Sequence, residues 1–283
     1  RPLTDNDRGA GHGFERVQWL GAGRYARCVD NVLEQIDDST LKGTYTYELA
    51  TAQRTKVTVS YTAHTDGRVN LHVEYPGEQG DLPTIPAFGI EWTLPVQYTN
   101  LRFFGTGPEE TYLDRKHAKL GVWSTNAFAD HAPYLMPQET GNHEDVRWAE
   151  ITDDHGHGMR VSRADGAAPF AVSLLPYSSF MLEEAQHQDE LPKPKHMFLR
   201  VLAAQMGVGA HHDLVFSAVL LERENARQPN GQIACHIAAQ ALNGLAADGK
   251  IAAIKAGMAH MIKPTVMATV LPERMEPSQM MPS

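Results

Sequence analysis

Two short segments of this 283-residue sequence, residues 4–14 and 105–115, combine acidic and hydroxyl side chains with closely spaced glycines. The first segment is a dense polar run, Asp5, Asn6 and Asp7, followed by glycines at alternate positions. Because each glycine leaves the backbone unrestricted, we expect a polar turn that leads into a mobile loop. A structural turn with a surface loop and a lid over a site both fit this pattern.

The second segment predicts a shared polar face. After a run of glycine and proline, Glu110, Tyr112 and Asp114 alternate along the chain, so an extended backbone would place all three on one side. The neighbouring Arg115 could pair with a carboxylate there in bidentate fashion.

Two carboxylates facing each other would suit the hydrolysis of sugars, which requires them about 5 Å apart for retention or about 6.5–9.5 Å apart for inversion. Adjacent acidic residues do not meet this requirement, because neighbours on a strand point to opposite faces. Examples of such pairs are Glu109-Glu110, Asp153-Asp154 and Glu183-Glu184.

The sequence lacks the motifs that other kinds of catalysis and ligand binding require. The sequence contains no Gly-x-Ser-x-Gly elbow and no complete phosphate-binding glycine loop. Two clusters, residues 153–157 and 211–213, offer two histidines each, whereas a zinc site usually needs three or four ligands at usable spacing. We therefore predict no metal site and no cofactor in this chain.

The composition of the chain limits the classes of partner that it could bind. A formal net charge of −9 gives no support for binding to nucleic acid or to an anionic membrane surface. No apolar run approaches the ~20 residues that a membrane span requires. Only two cysteines are present, which favours a reducing compartment, and we expect a cytoplasmic protein.

The elements that would position these residues are mostly strands. Alternating runs at 56–61, 68–75 and 90–94, with Asp66-Gly67 as a hairpin turn, are followed by further strand-like runs at 144–151, 158–163, 170–175 and 197–205. One short helix is predicted at 178–187, capped by Ser179. We therefore expect an all-β fold, an antiparallel sandwich or barrel.

The composition changes after His212. All four tryptophans and all nine tyrosines precede this residue, whereas the remainder is rich in Ala and Met. We predict one domain over 1–210 and an atypical tail over 211–283, frameshifted or disordered. Because the chain opens at Arg1 without Met, we expect the interior of a longer gene product and an N-terminally truncated domain.

Four motifs together resemble the C-terminal domain of β-galactosidases of glycoside hydrolase family 2, especially the lactobacillus type, in which this domain can be a separate small subunit. The motifs occur in order at residues 4–9 with 18–22, 105–115, 134–142 and 204–209. The resemblance implies a large antiparallel β-supersandwich related to the galactose mutarotase fold. It also implies retaining hydrolysis of lactose and other terminal β-D-galactosides.

In that family the two catalytic glutamates lie in a (β/α)8 barrel, which no part of this sequence matches. The resemblance therefore implies a partner, either a large barrel subunit or an upstream part of the same chain, and places any Mg²⁺ or Na⁺ site there. This chain would supply no catalytic residue, but its substrate-adjacent loop would contain Gly9, Ala10, Gly11 and His12. The remaining motif residues would have structural or interface roles: Asp5, Asn6, Asp7, Glu110, Tyr112, Asp114, Arg115, Glu139 and Asn142.

One family feature is missing. Relatives continue from Gly-Val-Gly to a Gly-Asp-Asp-Ser-Trp motif whose Trp stacks on the sugar, whereas here Gly209 is followed by Ala210-His211-His212. Two other functions remain open from the sequence: a free-standing carbohydrate-binding or interaction module, and an enzyme similar to an aldose 1-epimerase.

Overall fold

The computed structural model describes residues 1–11, 13–76, 85–210, 214–223 and 265–266. Its four α-helices are α1 (Asp5–Gly9), α2 (Gly13–Ala22), α3 (Ala127–Asp130) and α4 (Ser179–Glu184) within these ranges. Its strands are β1 (Arg27–Asp37), β2 (Thr40–Glu48), β3 (Lys56–His64), β4 (Val69–Tyr75), β5 (Ile85–Pro95), β6 (Asn100–Gly107), β7 (Lys119–Asn126), β8 (His143–Val146), β9 (Trp148–Thr152), β10 (Gly158–Arg163), β11 (Phe170–Leu175), β12 (His196–Ala210), β13 (Leu214–Arg223) and β14 (Thr265–Val266).

The strands form two antiparallel sheets. Nine strands pair in the order β1-β2-β3-β4-β13-β10-β9-β6-β7, and five pair in the order β14-β5-β12-β11-β8. The predicted all-β antiparallel class is thereby confirmed. No helix among the described residues is both long and apolar enough to cross a membrane.

One large apolar core lies between the strands. In β2 buried and half-buried residues alternate strictly, as expected for a strand with one face on the core. In β11 every residue is buried, so both faces of the five-stranded sheet are covered there. Val59 and Val73 of the large sheet and Leu199 and Val201 of the small sheet belong to the same core cluster.

The hairpin predicted at Asp66-Gly67 forms, and a second hairpin joins β9 to β10. β3 and β4 are joined through Asp66 and Gly67, and Gly67 adopts a φ of 89°, which favours glycine. β9 and β10 are joined through residues 153–157, where the Asp153 carboxylate accepts the backbone N–H groups of His155 and His157.

The helices correct two expectations. Residues 5–9 form α1 rather than a polar turn, because Thr4 and Asp7 build a capping box in which each side chain accepts the other's backbone N–H. The cap of α4 is Ser178 rather than Ser179, since the Ser178 hydroxyl accepts the N–H of Met181.

One strand lies beyond the predicted boundary at residue 210. Residues 214–223 form β13, which pairs with β4 on one side and β10 on the other. Their mainly apolar run, broken by Ser217, lacks the alternation on which our strand predictions relied. Apart from β14, the rest of the predicted tail lies outside the described residues.

Candidate functional site

The motif at residues 134–142 contains a buried polar segment that contacts three other parts of the chain. We call residues 138–142, just before β8, the hub. Its side chains are almost completely enclosed: Gln138 and Glu139 are each 5% exposed, and Thr140 and Asn142 are 0% exposed. Gly141 adopts a φ of 67°, and a Cβ there would lie 2.9 Å from the backbone oxygen of Asp130, so this position requires glycine.

The hub covers a buried ion cluster on β5 and β12. Arg200 pairs in register with Glu91, and both alternate with core residues, so they lie on the face of the small sheet that points away from the large one. Arg200 Nε donates to Glu91 at 2.7 Å, and its Nη1 donates to both Glu139 oxygens at 3.3 and 3.4 Å. Its Nη2 donates to the Tyr177 carbonyl at 3.3 Å.

The Arg200 guanidinium stays charged. Burial by itself would lower the pKa of Arg200, but the charges of Glu139 and Glu91 outweigh it and raise that pKa above its ordinary value. The guanidinium is 0% exposed, so it ties the hub to the sheet and cannot reach a substrate in solution.

The second acidic segment folds back on itself, which corrects the extended face predicted for Glu110, Tyr112 and Asp114. Tyr112 and Arg115 are paired through backbone hydrogen bonds of 3.3 and 2.9 Å, so the stretch is a tight turn. Asp114 is left exposed at this turn.

Glu110 connects this turn to the hub. Its carboxylate accepts hydrogen bonds from Arg115 Nη1 at 2.6 Å, the Tyr112 hydroxyl at 3.3 Å and the Gly141 N–H at 2.9 Å. The predicted ion pair between Arg115 and a carboxylate is present, although the contact is made by one guanidinium nitrogen rather than two. Burial, with the charges of Glu139 and Glu110, raises the pKa of Tyr112 well above its ordinary value, so this hydroxyl remains a donor.

Asn142 adds a second connection between the turn and the hub. Its carbonyl accepts the Thr111 N–H at 2.6 Å, and its Nδ2 donates to the Thr111 carbonyl at 2.8 Å. Glu110, Tyr112, Arg115, Glu139 and Asn142, which the sequence assigned to structural or interface roles, therefore converge on one place.

The first acidic segment reaches the hub through α1. Gln138 accepts the Asp5 N–H at 2.9 Å and donates to the Asp5 carboxylate at 2.9 Å. From the other side, Glu183 of α4 accepts hydrogen bonds from the Leu3 N–H at 2.6 Å and from Arg8 Nη2 at 2.8 Å.

Asp7 holds the two N-terminal helices together. It is 1% exposed and forms ion pairs with Arg1 at 2.6 Å and with Arg16 of α2. Burial opposes ionisation, but the hydrogen bonds and charge of these arginines hold the pKa of Asp7 well below its usual range.

Three of the predicted substrate-adjacent residues, Gly9, Ala10 and Gly11, lie at the end of α1 and just after it. Gly9 and Ala10 are exposed, and a Cβ added at Gly9 or Gly11 would meet no atom within 4 Å. Asn6 is also exposed on α1. His12 lies outside the described residues. Phe14, at the start of α2, is 92% exposed.

The buried carboxylates that could act as acid and base are already engaged in ion pairs. The buried Asp7, Glu91, Glu139 and Glu150 each form an ion pair with arginine. Burial raises the pKa of the half-buried Glu144, although Lys116 lies 3.9 Å away. Within the described ranges no group of three or more His, Cys, Asp or Glu could hold a metal ion.

Three of the residues that build this site were not predicted as site residues from the sequence: Arg200, Glu91 and Glu183. Arg200 left a signal, because it is a single charge in the apolar run Met197–Gln205. Such a residue at the centre of a buried strand must find a partner, but the sequence does not tell which one.

The fold and the hub thus define an all-β antiparallel domain with a buried polar centre. Residues 1–220 match the family model "Beta galactosidase small chain", and the chain belongs to this family. It is 75% identical over 210 residues to the β-galactosidase BgaC of Bifidobacterium adolescentis, a match that covers 74% of this chain and 20% of BgaC.

A second relative has the size of the domain itself. The chain is 32% identical over 239 residues to the β-galactosidase small subunit of Latilactobacillus sakei, covering 74% of each. A galactose mutarotase related enzyme of Lactobacillus acidophilus matches with a TM-score of 0.33 and 6% identity over 72% of this chain and 74% of that one. A likeness this low adds nothing to the assignment, which rests on the sequence matches.

Proposed function

We propose that this chain is the small part of a β-galactosidase, which hydrolyses terminal β-D-galactosides such as lactose with retention. The catalytic glutamates, and any Mg²⁺ or Na⁺, would belong to a barrel in a partner subunit or in an upstream part of the same chain. One observation carries the proposal: residues 1–220 match the small chain family, yet the chain spans only 20% of BgaC and most of a stand-alone small subunit.

The site geometry supports a role in completing the active site rather than in the bond-breaking step. Arginines neutralise each of the buried carboxylates named above, so these groups are poorly suited to exchange protons with a substrate. The exposed Gly9 and Gly11 and their neighbours Ala10 and His12 would line the mouth of the site. The backbone of Gly9 and Gly11 can approach a sugar or a partner closely, because neither residue has a Cβ.

A complementation experiment tests the proposal. BgaC is truncated by the fifth that this chain matches, and its hydrolysis of a nitrophenyl β-D-galactoside is measured alone, with this chain, and with the excised BgaC segment as the positive control. We expect no hydrolysis by either part alone and hydrolysis on mixing.

Two outcomes would contradict the proposal. Hydrolysis by this chain alone would show that it contains its own acid and base. Failure of this chain to activate truncated BgaC, while the excised segment does so, would leave a carbohydrate-binding or interaction module. A mutarotation assay with galactose, run on the chain alone, would reveal an epimerase.

A further inference from the structure

The short helix α1 cannot define its own position. It contains five residues, and helices of this length are unstable in water without contacts to the rest of the protein. The N–H groups of its first turn also lack partners within the helix. The groups that satisfy them therefore decide where α1, and the Gly9–Gly11 segment after it, is located.

Two distant side chains fasten this end of the chain to the sandwich. Gln138 contacts the N–H and the carboxylate of Asp5 at 2.9 Å each, across 133 positions of sequence. Glu183 contacts Leu3 and Arg8 at 2.6 and 2.8 Å. Only the Gln138 contact leads directly into the hub.

Gln138 is itself firmly placed. It is 5% exposed, and its neighbour Glu139 is bound to Arg200, which is 0% exposed. Two positions further on, the Gly141 N–H donates to Glu110 at 2.9 Å. A continuous series of contacts therefore runs from the interior of the small sheet, through Glu139 and Gln138, to α1.

We propose that Gln138 is a positioning residue of the β-galactosidase. Its amide donates to Asp5 at one end and accepts from Asp5 at the other, and so fixes α1 where the segment 9–11 completes the active site. This inference rests on the proposed function, because that function places segment 9–11 beside the substrate.

An exchange of the two partners tests the proposal. Gln138→Glu keeps the acceptor for the Asp5 N–H but sets one carboxylate against another, so the first turn of α1 should move away from the hub while the contacts of Asp7 and Glu183 remain. Asp5→Asn alone leaves an acceptor for the Gln138 amide and should change little. In the double variant, Asn at position 5 can donate to Glu at position 138, which restores both hydrogen bonds.

The matched control is Gln188→Glu. Gln188 also uses both ends of its amide, donating to the Tyr134 carbonyl at 2.6 Å and contacting His131 at 3.2 Å. It is not hydrogen-bonded to α1 in the contacts described above, so the same chemical change should leave α1 in place.

Two readouts are measured on all four variants and the wild type. In the chain alone, hydrogen–deuterium exchange over residues 2–8 should rise in Gln138→Glu and return to the wild-type level in the double variant. With truncated BgaC, kcat/KM should fall on the order of tenfold in Gln138→Glu and recover in the double variant, with unchanged affinity between the two parts.

Each result bears on the proposal. A loss of activity that the double variant does not rescue, or a loss equal to that of Gln188→Glu, would overturn it. If wild-type chain gives no activity with truncated BgaC, the proposed function fails. The exchange data then decide separately whether Gln138 positions α1.

Discussion

At Arg200, two carboxylates share one guanidinium that has no contact with water. Glu91 and Glu139 are 8% and 5% exposed, so neither carboxylate can be hydrated if the arginine is removed. The strength of such a cluster lies less in the attraction between its charges than in the cost of breaking it.

We therefore predict that Arg200→Met lowers the free energy of unfolding by about 3–5 kcal/mol, since two buried carboxylates lose their partner. The control is Arg102→Met, because the Arg102 side chain is 52% exposed and its partner Glu150 keeps Arg160 at 3.3 Å. That variant should lose about 1 kcal/mol or less. Urea unfolding measures both, and equal losses would contradict this description of the hub.

Because Asp7 is buried and paired with arginines, we predict that the stability of the chain depends on pH. Its pKa is lowered in the folded chain, so its contribution to stability is present above the unfolded value of about 4 and is lost as the pH falls further. At pH 7, Asp7→Asn should be less stable than the wild type by about 2 kcal/mol. The difference should narrow below about pH 4, and a difference that is independent of pH would refute the assignment.

At the scale of the element, one glycine in a helix and one in a strand predict opposite effects of substitution by alanine. Gly9 lies in α1 with open space around it, so Gly9→Ala should stabilise the helix slightly, by about 0.5–1 kcal/mol. Gly158 lies in β10, where a Cβ would be 1.8 Å from the Ile151 carbonyl oxygen.

Gly158→Ala should therefore destabilise the chain by about 1–3 kcal/mol or more, because strand β9 must move. Thermal unfolding distinguishes the two substitutions. If Gly9→Ala leaves the melting temperature intact but reduces activity in the complemented enzyme, the effect arises at the substrate-adjacent segment. A large loss of stability in Gly9→Ala would contradict the open environment of this residue.

Strands were predictable where their pattern is local. The alternation of β3 and β4 and the Asp66-Gly67 turn lie within about twenty residues, and the structure reproduces them. By contrast, β1 has no buried residue, so its sequence shows no alternation to detect. Helix α1 was missed for a different reason: five residues are too few to show a helical period, and contacts with Gln138 and Glu183, more than a hundred residues away, add to its local capping box.

Several residues of the candidate site could be predicted from the sequence, but their arrangement could not. The motifs contain Glu110, Glu139 and Asn142, and all three meet at the hub. Arg200 joins Glu91 and Glu139 across 109 and 61 positions, a pairing that only the register of β5 with β12 and the path of the hub create.

At the scale of the whole molecule, the large sheet ends in two strands with exposed apolar side chains. Val32 and Ile36 on β1 are 49% and 56% exposed, and Leu120 and Val122 on β7 are 52% and 51% exposed. A domain that works inside a larger assembly can leave such residues uncovered by its own fold. This surface agrees with the proposal that the chain acts with a larger partner.

The most direct test of that proposal is a titration. Truncated BgaC is held at a fixed concentration, this chain is added stepwise, and the rate of hydrolysis of a nitrophenyl β-D-galactoside is followed. We predict a rate that starts at zero and rises to a plateau once each truncated molecule has bound one chain. A rate that stays at zero at every ratio, or one that rises in proportion to this chain when BgaC is left out, would contradict the proposal.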